Sequence, residues 1–169
     1  MKIKTDFVTN SSSSSFIVFW PRKIKSDKEV RAFIRREDFI NIITRDSVEQ
    51  RPYKANPNSK EAVNRLADKL KHDYIPEIDS WRSEDGFCEK HEVSKEDFKN
   101  NKQWQAQRWL ENDLMKEQYA LEKAIKYLTQ YEGCYVYNFE YGDEDGGVFA
   151  DLEHRNDWGR LPYIRISHH

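Results

Sequence analysis

Between Ser94 and Gln130 the chain contains no glycine and no proline, and that uninterrupted run constrains its fold more than any other feature. Ser94-Lys95-Glu96-Asp97 opens the run with a capping-box-like start, in which a serine oxygen meets backbone N–H groups that a helix leaves without partners. Leu110, Leu114, Leu121, Ile125 and Leu128 follow at near-heptad spacing, the signature of a helix with one apolar seam. At about 1.5 Å per residue, roughly 36 residues would reach roughly 54 Å, more than the width of a domain of this length. The helix therefore either breaks near Asn100 to Trp104 or projects from the body.

What such a helix packs on is suggested by the rest of the chain. Gly133 terminates the helix, and Tyr135, Tyr137, Phe139 and Tyr141 then alternate onto one face of a strand. Asp145-Gly146-Gly147 is a turn signal, Val148 to His154 reads as a return strand, and a last strand starts at Tyr163 after a loop through Asn156, Gly159 and Pro162. These make a three-stranded C-terminal meander. Near the other end, Phe16-Ile17-Val18-Phe19-Trp20 reads as a buried strand that follows a polar interval and stops at Pro21. Ser26 can cap a helix carrying Val30, Phe33 and Ile34, and the apolar pattern continues through Phe39, Ile40, Ile42 and Ile43. After a loop from Arg51 to Ser59, Ser59 opens another helix with Val63, Leu66, Ala67 and Leu70, stopped by Pro76. Residues 78–93 are polar and read as an exposed connection. The expected class is α+β: a small antiparallel sheet, built from the C-terminal meander plus the N-terminal strand, packed against several helices including the long one.

A length of 169 residues fits a single domain spanning 1–169, and although apolar residues make up only 37%, Phe 9, Tyr 9 and Trp 5 supply core bulk that disordered chains lack. The net charge of −2 gives no overall attraction to nucleic acid or to an anionic membrane. Cys88 and Cys134 stand far apart and outside any C-x-x-C pattern, which argues against a disulfide framework and a thiolate zinc site, and for a reducing, cytoplasmic setting. The longest N-terminal apolar stretch, Phe16 to Trp20, is too short for a signal-peptide core or a membrane span.

Side chains with chemical potential concentrate between Tyr141 and His169, where Asp143, Glu144, Asp145, Asp151, Glu153, His154, His168 and His169 are the groups a Zn or Mn site uses. Strand geometry divides them. If the last two strands pair antiparallel, His154 lies near Tyr163 and His168 near Phe149, about 17 Å apart, so the two histidines cannot share a metal. The candidate metal ligands are therefore Asp143, Asp145, His168 and His169. A second candidate is a basic stripe of Lys28, Arg31 and Arg35, for contact with nucleic acid or another anion, and a third is a partner interface around Trp104 and Trp109 on the long helix.

The segment Lys2-Ile3-Lys4-Thr5-Asp6-Phe7-Val8-Thr9-Asn10, followed by Ser11 to Ser15 and Phe16, resembles an N-terminal signature found on diverse uncharacterised proteins of bacteria and their phages. The resemblance implies a bacterial or phage origin and transfers no site residue. With no nucleophile elbow, Walker loop, dinucleotide fingerprint, HExxH motif or CxxC pair, the expected function is that of a non-enzymatic accessory or inhibitory protein acting through protein–protein contact. The alternative is a divalent-metal-dependent hydrolase or nuclease using the C-terminal carboxylates and histidines. The residues alone leave both readings open.

Overall fold

The computed structural model describes residues 13–72, 83–142 and 158–168, apart from the side chains of residues 13, 14, 142, 167 and 168. In chain order its elements are β1 (Ser13–Trp20), α1 (Asp27–Arg31), α2 (Glu37–Glu49), β2 (Tyr53–Lys54), α3 (Lys60–Leu70), α4 (Glu84–His91), α5 (Lys95–Asn100), α6 (Lys102–Gln130), β3 (Tyr135–Gly142) and β4 (Tyr163–His168). The fold is α+β, with a small antiparallel sheet and one long helix among several. Where length alone suggests one domain, the contacts group into two compact units, Met1–Pro52 with Tyr135–His169, and Tyr53–Cys134.

The first unit is built around β1, which pairs antiparallel with β3 on one side and with β4 on the other. That arrangement bears on two expectations. The N-terminal strand lies between β3 and β4, in the position a simple meander would give to its middle strand; that strand, expected at Val148 to His154, lies outside the described residues. The strand also begins at Ser13, inside the serine run, and Ser15 is buried. The physical reason is visible in Phe16 to Trp20, every residue of which is buried: a continuous apolar run, as opposed to an alternating one, is what a strand covered on both faces requires.

On one face, Phe16, Val18 and Trp20 join Tyr137, Phe139 and Tyr141 in a core closed by Val30 of α1 and by Phe39, Ile40 and Ile43 of α2. The Tyr137 hydroxyl accepts a hydrogen bond from the Ile24 backbone N–H at 2.8 Å, which satisfies a polar group in the middle of that core. Ser26 begins α1 as expected, with Glu29 accepting from both the Ser26 backbone N–H (3.0 Å) and its hydroxyl (2.7 Å).

The second unit begins and ends together. Ala55 N–H donates to Cys134 C=O at 2.8 Å, and Gly133 N–H donates to Ala55 C=O at 2.9 Å. Ser59 caps α3 by accepting from Ala62 N–H at 3.3 Å. Residues 78–93 are not simply an exposed connection. From Ser83, whose hydroxyl accepts from Gly86 N–H at 3.0 Å, the chain forms the eight-residue α4, and Phe87 and Cys88 are buried against Phe98. Composition hides this helix because only two of its residues are apolar enough to signal a face. Ser94 caps α5 and Asn101 caps α6, so the long run breaks at Asn101, within the interval the length argument requires. The 29 residues of α6 then span about 44 Å.

Candidate partner-binding face

On α6 the buried positions are Asn112, Ala120, Ala124 and Leu128, a ridge in steps of four with alanines where α3 and α6 pack on one another. A four-residue step advances more than a full turn, so this ridge winds around the helix. The near-heptad residues Leu110, Leu114, Leu121 and Ile125 instead hold one arc of about 60°, and at Asn112 the ridge is about 140° away from the nearer edge of that arc. The ridge meets the seam only at Leu128. Leu110 is therefore 60% exposed, Leu114 56% and Ile125 46%, with Leu121 half-buried. The heptad pattern in the sequence is real, but most of it faces outward.

Trp109 is 53% exposed, and the Arg108 guanidinium lies 5.3 Å from its ring centroid. Trp104 is not part of the same surface. It is half-buried with Phe87 and His91, at ring separations of 6.2 Å and 5.9 Å, and helix geometry turns it about 140° from Trp109. Of the two tryptophans expected at an interface, Trp104 lies in a small aromatic cluster, and Trp109 is exposed but about 100° around the helix from Leu110. Leu110, Leu114 and Ile125 belong to the exposed face, and their heptad spacing was the signal for them.

Alongside this face the helix is tied to α4 by a charged clamp. Glu111 accepts from Lys90 Nζ at 2.8 Å and from Gln107 Nε2 at 2.8 Å, and meets His91 Nε2 at 3.0 Å. The Lys90 hydrogen bond, followed by those of Gln107 and His91, holds the Glu111 carboxyl down at about 2. A carboxylate depressed in the folded state stabilises above the unfolded value of about 4.3, and that contribution is lost as pH falls toward the folded value. Glu111→Gln is expected to cost on the order of 1 kcal/mol at neutral pH and to flatten the stability profile between about pH 4.5 and 2. Urea titrations across that range check it, and an acid limb identical to that of the parent chain contradicts it.

The other sequence candidates fare differently. Lys28 and Arg31 lie on α1, but that helix ends at Arg31, so Arg35 does not share a helical stripe with them. Arg31 is engaged by Glu37 and, at 3.9 Å, by Asp27. Asp143, Asp145, His154 and His169 lie outside the described residues, as does the His168 side chain. The backbone register does place Gly142 and His168 on either side of Ser13, in one row across the three strands. Among the described residues, no three His, Cys, Asp or Glu side chains are grouped to hold a metal ion. Burial pushes the Cys134 thiol up, away from nucleophile chemistry. Among the described residues, too, no helix is long and apolar enough to cross a membrane.

Comparison with family models, with curated proteins and with solved structures finds no match to this chain.

Proposed function

We propose that this is a non-enzymatic accessory or inhibitory binding protein of a bacterium or phage, which engages an amphipathic helix of a partner protein along the outward seam of α6. The observation that carries the reading is the exposure of Leu110, Leu114 and Ile125 on one arc of a helix already anchored through its other ridge. Large apolar side chains aligned on one exposed helix face favour helix-to-helix docking, because heptad spacing lets each leucine sit between residues of a facing helix. Leu110→Glu with Leu114→Glu is expected to leave the fold intact, since neither side chain is in the core, and to reduce capture of a bacterial partner at least about tenfold. Affinity capture from lysate with the parent and the double variant, at matched circular dichroism, checks this. Equal recovery by both, or a concentration-dependent dimer that the double variant abolishes, contradicts it; the second result would make the occupant another copy of this chain.

The row Gly142, Ser13, His168 favours one other reading, a hydrolase or nuclease using Zn or Mn, because it brings His168 to the end of the sheet from which Asp143 and Asp145 follow in sequence. Elemental analysis of untagged protein separates the two: stoichiometric metal supports the second reading, and its absence removes it.

A further inference from the structure

The elbow between α1 and α2 and the turn after Trp158 border a cavity of about 480 Å³. Buried Ile34 and Phe39 and half-buried Phe33 give it an apolar wall, and four arginines, Arg31, Arg35, Arg36 and Arg160, line the remainder. Two of these charges are already used. Arg31 is engaged by Glu37 and Asp27, while Arg36 pairs with Asp38 (Nε to Oδ1, 3.2 Å) and stacks over the Phe39 ring at 3.9 Å. Arg35 and Arg160 are exposed, and neither has a hydrogen-bond or ion-pair partner among the described residues.

The turn that carries Arg160 is held in place. Trp158 is fully buried, Leu161 N–H donates back to Trp158 C=O at 3.2 Å, and Gly159 has a φ of 65° with its Cα so close to the segment after α1 that a Cβ there would sit 2.6 Å from the Phe33 carbonyl oxygen. Arg160 is thus pressed beside the segment that bears Arg35, although 125 positions separate them in sequence.

We propose that this cavity binds a phosphomonoester carried on a small flat apolar body, an aryl phosphate or a nucleoside monophosphate, with Arg35 and Arg160 holding the phosphate and the Phe33 side of the wall meeting the body. A phosphomonoester carries close to two negative charges near neutral pH, which two uncommitted guanidinium groups match, and the arginine fork suits phosphate oxygens. The volume falls in the usual range for small-molecule sites, about 300–1,000 Å³. A nucleic-acid strand presents only one charge per phosphate and would face a chain of net charge −2. The site lies in the sheet unit and does not rest on the partner-binding reading.

Isothermal titration of the full chain in low salt tests it, with phenyl phosphate and adenosine 5′-monophosphate as probes, and phenol, adenosine, inorganic phosphate and a single-stranded oligonucleotide as comparisons. One or both esters are expected to saturate a single site, with their dephosphorylated counterparts and inorganic phosphate weaker by about tenfold or more. Arg35→Ala and Arg160→Ala are each expected to weaken ester binding about tenfold, and Lys28→Ala, which removes one charge from α1 outside the cavity, no more than roughly twofold. Arg35→Lys and Arg160→Lys, which keep the charge but lose the fork, should also lose affinity while the thermal midpoint stays unchanged. Absence of saturation by both esters, equal loss in Lys28→Ala, inorganic phosphate binding as tightly as the esters, or binding of the oligonucleotide alone would each overturn the assignment.

Discussion

Trp158→Ala is expected to cost about 3–5 kcal/mol, the largest single effect in the sheet unit, because it removes a fully buried aromatic and leaves a cavity that its neighbours cannot fill. The indole lies 5.5 Å from the Phe16 ring and 5.1 Å from the Phe139 ring, so it joins the central strand to β3 from a segment distant from both in sequence. A loss of that size is a large share of the roughly 5–15 kcal/mol that holds a domain together, and the thermal midpoint should fall by roughly 10 °C or more. Trp158→Phe provides the contrast. Among the described residues the buried Trp158 Nε1 has no hydrogen-bond partner, so phenylalanine keeps ring packing while removing a donor with none there, and its cost should be far smaller. Circular dichroism melts of the two variants decide the matter, and a Trp158→Ala midpoint within about 2 °C of the parent contradicts this packing.

Gly159→Ala is expected to be the next most damaging change. Its left-handed backbone costs an alanine about 1–2 kcal/mol by itself. To that is added the contact with the Phe33 carbonyl oxygen, a backbone atom that cannot swing aside. Gly133 supplies the internal standard: it too has positive φ, 85°, but a Cβ there would meet nothing within 4 Å. Gly133→Ala should therefore show the conformational cost alone and Gly159→Ala that cost plus the clash, read as a difference between denaturation midpoints. Equal losses in the two variants would mean that the turn does not approach Phe33 as closely as described.

These two neighbouring residues also mark where sequence reasoning stops. Local signals carried far: the serines at 26, 59 and 94 begin the helices they were expected to begin, the alternation from Tyr135 to Tyr141 places those side chains on the core face, and the run from Ser94 breaks at Asn101. Long-range pairing was less accessible. Neighbouring strands in sequence usually pair, so a meander was the natural expectation; the continuous burial of Phe16 to Trp20 shows that both faces of β1 are covered, but no local signal places it between β3 and β4. The seam of α6 was legible as a periodicity but not as a surface, because spacing shows that residues share a face without showing whether anything covers it. Arg160 was illegible for a plainer reason: its relation to Arg35 depends on Gly159 lying against Phe33. No local pattern records that approach.

Whether the outward seam of α6 meets a partner protein is tested most directly by placing a photoreactive amino acid at Leu114, and the same amino acid at exposed Lys28 as a control, then irradiating each protein in bacterial lysate. The expected result is a discrete heterologous cross-link from position 114 that is absent from position 28 and is suppressed by excess unlabelled parent chain but not by excess Leu110→Glu, Leu114→Glu chain. No cross-link at position 114, or the same products from both positions, would contradict it.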